Sequence, residues 1–385
     1  VRIGVVGGGP AGLYFALLMR SRHPDHAVVV VEQNPPDATY GWGVVFSSRA
    51  LGFLRASSPP FHADLAARLC AWGDQVIVHR GQRVVIDGLA FAGIARLELL
   101  RLLQEHCRRA GVELEFGRRL TDLDGFGACD LVVGADGVHS LVRELHGQHF
   151  QPRVELLGNR YIWYGTAQPF EALTLTFRES DHGPFVAHHY PYGGGASTFI
   201  VECDAGTWER AGFARMSDEA SRAYCEALFA ADLGGQPLLT NRSQWLRFPL
   251  VTNGRWAHDR VVLIGDALRT VHFSIGSGTR TALEDAVALA DALATSADVP
   301  AALRTFERVR RPPAEEFLTI AARSGAWYER FADRFALDPL PFAHSYLVRG
   351  GHIPEERLRA RFPRFAGAYA AWARAQGGEV SDRRA

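Results

Sequence analysis

Near the start of the chain, Gly7-Gly8-Gly9-Pro10-Ala11-Gly12 spaces its glycines as G-x-G-x-x-G between an apolar run and a helix-like stretch. Such a turn lets backbone approach a pyrophosphate, which then meets the amides and positive end of the following helix. The segment "AVVVVEQN" (27–34) next delivers Glu32, placed to accept hydrogen bonds from an adenosine ribose, with Gln33 beside it as a further expected contact. An acid at that point disfavours a ribose 2′-phosphate. A second place of the same kind lies far away, in "LIGDALRTVHFSIGSGTRTALEDA" (263–286). Here Gly265-Asp266 ends an apolar strand, and the carboxylate can bond a polyol hydroxyl. Gly276, Ser277 and Gly278 let a flat ring lie against backbone, and a helix from about Thr279 aims its positive end there. A ring that becomes anionic on reduction is favoured at such a point. Two such turns predict the two ends of one long dinucleotide.

The elements that must position these residues follow from periodicity. A strand (2–6), a helix (about 11–22) and the 27–34 strand open the chain, and "ARLELLRLLQEHCRRAG" (95–111) repeats leucine at helical spacing. Residues 76–90 alternate like a short antiparallel pair. From about 158 to 250, "YIWYGTAQ", "LTLTFRES", "FVAHHYPY" and "STFIVECD" read as an inserted antiparallel sheet, interrupted by one helix at about 217–231. Beyond 300 the chain reads as helical, with breaks at Pro312-Pro313 and at Pro339 to Pro341. The expected fold is α/β. It has a discontinuous Rossmann-like domain (1–75, 91–157, 254–300), an inserted antiparallel β-sheet substrate domain (76–90, 158–253), a C-terminal helical region (301–376) and a frayed tail (377–385).

Composition excludes several classes. The 385 residues are 47% hydrophobic, and 42 basic residues balance 42 acidic ones, so no net charge draws the chain to nucleic acid or an anionic membrane. Every basic residue is arginine, which removes any mechanism that needs a catalytic lysine. Cys70, Cys107, Cys129, Cys203 and Cys225 are scattered without C-x-x-C spacing, arguing against a disulfide framework or a metal site and for a reducing compartment. No apolar run reaches the roughly 20 residues of a membrane helix. A cytoplasmic enzyme acting on a small molecule is expected.

A third signal, "CDLVVGADGVHSLVR" (129–143), brings Asp136-Gly137 to a strand end. In this order the three signals resemble the class A flavoprotein aromatic hydroxylases, which share the p-hydroxybenzoate hydroxylase fold. The resemblance implies FAD, with the first turn and Glu32 on its ADP part, Asp136 facing the pyrophosphate, Gly265-Asp266 on the ribitol and Arg96 near the phosphates. "YGWGVVFS" (40–47), "FAGIAR" (91–96), "NRYIWYGT" (159–166), "STFIVEC" (197–203), "HFSIGSGT" (272–279) and "FAHSYLVRGGHIPEERLR" (342–359) narrow it further. They are similar to the subgroup of salicylyl-CoA 5-hydroxylase, 2-aminobenzoyl-CoA monooxygenase and a violacein-pathway indole hydroxylase.

That subgroup implies ring hydroxylation through a flavin C4a-hydroperoxide, with O2 and with NADH or NADPH as a transient co-substrate. An electron-rich aromatic is the expected partner, most simply an aryl-CoA thioester such as salicylyl-CoA. A free indole or aromatic acid, tryptophan-like, is the alternative. Gly265-Asp266-Ala267-Leu268-Arg269 departs from the Gly-Asp-Ala-Ala-His of the acyl-CoA enzymes and is nearer the indole hydroxylase. A non-catalytic flavin-binding protein, monomeric or homodimeric like the enzyme, is the reading from another class. Halogenation is disfavoured, because "IWYGTA" stands where Trp-x-Trp-x-Ile-Pro is needed and lysine is absent.

His188 and Tyr190 alternate onto one face of a strand, and His272 directly precedes the flavin-facing loop. All three are candidates for orienting the substrate or moving its proton. His189 points the other way and reads as structural. Trp42, Trp163 and Phe273 are the candidate walls of the substrate pocket, Trp42 equally as a plug in its Gly-Trp-Gly loop.

Overall fold

The valine-rich runs Arg2–Val6 and Ala27–Val31 pair in parallel, from Arg2 opposite Ala27 to Val6 opposite Val31. Strands apolar on both faces are what a parallel sheet covered by helices requires. The computed structural model describes residues 1–376, with residues 48–50 by backbone alone. The expected tail at 377–385 lies outside the described residues. These two strands sit in a six-stranded sheet of spatial order 257–258, 261–263, 131–134, 2–6, 27–31, 113–115. Its edge hairpin, 257–258 with 261–263, is antiparallel. Helix Pro10–Arg22 is buried continuously from Ala11 to Met19 and packs on helix Gly278–Thr295. The two glycine turns therefore open at neighbouring helix starts, although they are far apart in the chain.

The second sheet has eight strands, ordered 238–239, 152–166, 196–203, 183–193, 173–180, 75–79, 82–86, with 246–253 pairing the 152–166 strand. Strand 75–79 joins it parallel to 173–180, so a hairpin early in the chain completes the inserted sheet. Side chains alternate between two cores, as a strand period of two dictates. Phe185, Ala187 and Phe199 face Phe213 and Phe229 of the short helices between 205 and 233. Leu175, Phe177 and Val186 face Trp327, Tyr328 and Phe342 of the C-terminal helices. A three-stranded sheet (43–47, 91–95, 70–72) touches the 183–193 strand and links the two larger sheets.

The break expected at Pro312-Pro313 is absent. One 30-residue helix, Val299–Tyr328, runs through both prolines. A proline inside a helix removes a backbone donor and costs ~3 kcal/mol, so side-chain anchoring must offset it. Arg310 donates to Asp285 Oδ1 at 2.9 Å, and the Arg311 guanidinium lies 5.1 Å over the Trp256 ring. Both prolines face solvent. Among the described residues no helix is long and apolar enough to cross a membrane.

Candidate active site

The first glycine turn is held from below. Gly7 sits at φ +106°, and a Cβ there would come 2.4 Å from the Ala135 carbonyl oxygen, so only glycine fills the position. Gly8 donates its amide to Glu32 Oε2 at 2.8 Å, while Glu32 Oε1 accepts from the Asn34 backbone and side-chain amides at 2.8 and 2.7 Å. Glu32 thus fastens the turn to the end of the second strand. In front of Gly9 and Gly278 the space is open, with nothing within 4 Å of an added Cβ.

The helices that begin at these turns, Pro10–Arg22 and Gly278–Thr295, have no side-chain N-cap. Ser140, Ser217 and Asp298 do cap helices elsewhere in the chain. Two uncapped ends leave backbone N–H groups free for an anion or an electron-rich ring.

The second turn is clamped on every side. Asp285 accepts from the Gly265 amide at 3.1 Å and pairs with Arg269, while Arg143 and Asn253 donate to the carbonyls of Ala267 and Leu268. What remains free is Asp266. It is exposed, and its carboxylate makes no hydrogen bond among the described residues. Its recessed position pushes the carboxyl pKa upward, against the pull of Arg96 and Arg269. Because the residue is exposed, the site is open and not a sealed interior. Burial likewise lowers the Arg96 pKa, against Asp266 and Tyr190. Arg96 anchors its backbone amide on the Trp42 carbonyl at 2.8 Å, yet its guanidinium has no ion-pair or hydrogen-bond partner among the described residues. An unpaired cation, an unpaired carboxylate and two neighbouring uncapped helix ends fit the phosphates, ribitol and ring of FAD.

Other expected cofactor contacts are already engaged. Asp136 accepts the Ser140 hydroxyl at 2.5 Å and the Val142 amide at 3.2 Å, so it braces its own turn. Ser277 donates to the Ile275 carbonyl at 3.1 Å. Gln33 is exposed and Thr279 half-buried. Gly276 adopts φ +59° at the end of the loop.

On the inserted sheet His188 faces the C-terminal helices and His189 the opposite core, where Thr176 and Phe199 surround it. His188 Nε2 lies 3.0 Å from Glu202 Oε2, and Glu202 Oε1 accepts from Asn159 Nδ2 at 2.8 Å. Burial pushes the Glu202 carboxyl upward, but the hydrogen bond from His188 leads the opposing causes, with Asn159 adding to it, and the pKa lies below the usual carboxylate range. An ionised Glu202 only accepts, so Nε2 of His188 carries the proton on that side. His188 Nδ1 has no partner among the described residues.

His272 and Phe273 pack beside this pair. Phe273 stacks on His272 at 4.6 Å and meets the edge of His188 at 5.5 Å; Tyr161 and Phe248 close around it. Burial, with His188 and Arg349 adding to it and Glu202 opposing, lowers His272 to about 4. Tyr190 shares the strand face of His188, but its hydroxyl donates to the Gly43 carbonyl at 2.8 Å and its ring stacks on Trp72. Trp42 and Trp163 pack reciprocally. A Cβ on Gly165 would be 2.5 Å from the Trp42 ring, and one on Gly41 would be 2.5 Å from the Trp163 ring. Hollows of about 560 and 420 Å³ flank the His258–Arg260 hairpin, and none of the residues above lines either.

Sequence reasoning missed Glu202, Asn159, Ser274, Ser324, Tyr328 and Arg349. One signal was present. In "STFIVEC" a glutamate falls where alternation demands a buried residue, and a buried carboxylate needs a partner.

Comparison with known proteins gives the family and the cofactor. A sequence profile described as an FAD binding domain matches residues 1–321. A salicyloyl-CoA 5-hydroxylase of Streptomyces sp. is 40% identical over 94% of this chain and 72% of that protein. A 3-hydroxy-4-methyl-anthranilyl-[aryl-carrier protein] 5-monooxygenase of Streptosporangium sibiricum is 38% identical over 86% of this chain and 90% of its own. The protodeoxyviolaceinate monooxygenase of Chromobacterium violaceum is 35% identical, covering 92% and 96%. Among solved structures, PqsL of P. aeruginosa with 2-aminobenzoylacetate superposes with a TM-score of 0.69 at 22% identity, over 87% of this chain and 98% of that one. That likeness concerns the fold.

Proposed function

The chain belongs to the FAD-binding aromatic-ring monooxygenases, and from that premise we propose that it hydroxylates an aryl-CoA thioester of the salicylyl type. Reduction by NADH or NADPH is part of the proposal. The balance is ArH + O2 + NAD(P)H + H⁺ → ArOH + NAD(P)⁺ + H2O. FAD, when bound, supplies the electrons and the activation of O2. Gly7 to Gly12, Glu32 and Arg96 would hold its ADP half, and Asp266 with the Gly276–Thr279 loop its ribitol and ring.

The protein must bind the aromatic, raise its electron density and exclude water. The observation that carries this reading is the His188–Glu202 pair. With Nε2–H held by the carboxylate, the lone pair of a neutral His188 is on Nδ1, which is free to take the proton of a substrate hydroxyl. Loss of that proton pushes electron density into the ring. Glu202 then stabilises the imidazolium that forms. Phe273, Tyr161 and Phe248 provide an apolar wall around the reacting ring. The two curated relatives whose substrates are tethered as a thioester or on an aryl carrier support a tethered ring here too.

The test uses purified holoenzyme with salicylyl-CoA, 2-aminobenzoyl-CoA and L-tryptophan, following NADH oxidation and product mass. Stimulated oxidation with a product heavier by one oxygen from a thioester is expected. Hydroxylation of tryptophan alone would overturn the thioester assignment.

A further inference from the structure

A chain of hydrogen bonds reaches His272 from the C-terminal helices, and its direction can be read from donor chemistry. Arg349 Nε lies 2.8 Å from Ser324 Oγ, and a guanidinium only donates. Ser324 Oγ therefore accepts there. Its own proton has one acceptor in reach among the described residues, Ser274 Oγ at 2.8 Å. Ser274 then passes its proton toward His272 Nδ1, also at 2.8 Å. The Ser274 backbone N–H points at the same nitrogen from 3.4 Å. Arg349 is itself fixed, with Nη1 on the Tyr346 carbonyl, Nη2 on the Ser274 carbonyl and its guanidinium 3.8 Å over the Tyr346 ring. Ser324 is buried on the long helix, so no solvent competes for its proton.

We infer that Arg349, Ser324 and Ser274 are positioning residues that hold neutral His272 as its Nε2–H tautomer, making it a hydrogen-bond donor to the substrate. A neutral imidazole whose Nδ1 accepts must carry its proton on Nε2. His272 Nε2 has no acceptor among the described residues, so its N–H is available to a ligand. The groups facing the ring are Glu202 and His188 from the sheet and Arg349 from the C-terminal region. Burial, with Arg349 adding to it, disfavours a positive charge on the ring, which keeps it neutral. The two histidines then differ in kind. His188 offers an acceptor, Nδ1, and His272 a donor, Nε2–H. Resting on the function proposed above, this pairing suits a ring with a hydroxyl or amino group ortho to a carbonyl, the hydroxyl or amine toward His188 and the carbonyl toward His272.

The tautomer can be read without turnover. In holoenzyme labelled with [15N]histidine, the His272 signals, assigned by their loss in H272Q, should show Nε2 protonated at pH 7.5. S324A should shift that signal toward the Nδ1–H form, and S324T, which restores the hydroxyl, should return it. R349Q is the second route to the same shift if S324A does not fold. With salicylyl-CoA, H272Q can still donate from the Nε2 position and should keep its KM within about twofold, whereas H272L should raise KM by about tenfold, one net hydrogen bond. An Nδ1–H signal in the parent enzyme, or an unchanged signal in S324A and R349Q, overturns the inference whatever the substrate proves to be. Absence of turnover with salicylyl-CoA counts only against the substrate assignment.

Discussion

Arg269 meets Asp285 through both ends of its guanidinium, Nη1 to Oδ2 at 3.0 Å and Nη2 to Oδ1 at 2.6 Å, and both residues are buried. The Trp256 ring lies 5.0 Å beneath the cation. Leu268, next in the chain, is sealed in the core of the nucleotide domain. The Leu268-Arg269 departure, which the sequence offers as a clue to an indolic substrate, is thus a packing solution behind the Gly265-Asp266 turn. Exchanging Arg269 for His should leave the ratio of kcat/KM for thioester over indole unchanged within about twofold. D285N, by contrast, strands two buried arginines, and breaking such a pair costs roughly 3–5 kcal/mol. Titration of apoprotein with FAD, beside a urea melt, should register both weaker flavin binding and lower stability.

Glu202→Gln keeps the shape of the His188 partner but removes its charge. Loss of an oriented general base costs roughly 10²-fold or more, so kcat with the proposed thioester should fall by about that factor with little change in KM. A kcat within threefold of the parent would remove the pair from the mechanism.

Tyr190→Phe should tell position from chemistry. Its phenol is committed to Gly43, so we expect kcat within about twofold of the parent and a stability loss of about 1 kcal/mol, one hydrogen bond. A hundredfold loss of kcat would put the hydroxyl back at the reacting ring.

Acid should weaken the fold through two buried imidazoles. Burial lowers His272 to about 4 and His189 to about 3, both from an ordinary 6.5. The unfolded chain takes up these protons near pH 6.5 and the native chain does not. Their contribution is therefore complete above that pH and falls as the pH drops toward 4, by roughly 1.4 kcal/mol per pH unit for each group. Urea midpoints between pH 7.5 and 4.5 should follow that slope, and H189Q should reduce it by about one proton. A midpoint independent of pH across this range would contradict both shifts.

Much of this was legible beforehand because its signals are local. The first glycine turn, Glu32 and Gly265-Asp266 each announce themselves within one strand–turn–helix unit, and the alternation in "FVAHHYPY" correctly sends His188 and His189 to opposite faces. The partners of these residues were not legible. Glu202 reaches His188 only through the register of two antiparallel strands, with Val186 opposite Glu202 and His188 opposite Ile200. Ser324, Tyr328 and Arg349 reach the site through helix packing that no periodicity encodes. Pro312-Pro313 misled for the complementary reason. Local propensity says stop, and anchoring by Arg310 and Arg311 overrides it. Trp42 read equally as a cover or a plug, and its glycine partner on another strand had no sequence signal.

The long helix Val299–Tyr328 bears on how such enzymes can be recombined. At about 1.5 Å per residue it spans roughly 45 Å. In its first half Arg310 secures the Gly265-Asp266 turn through Asp285, and near its C-terminal end Ser324 and Tyr328 stand behind His272 and His188. A chimera that transplants only the inserted sheet would import one protein's histidines and leave their supports in another. The unit of exchange is the sheet together with the segment from Ser324 to Arg349, joined to a host helix at a point beyond Arg311.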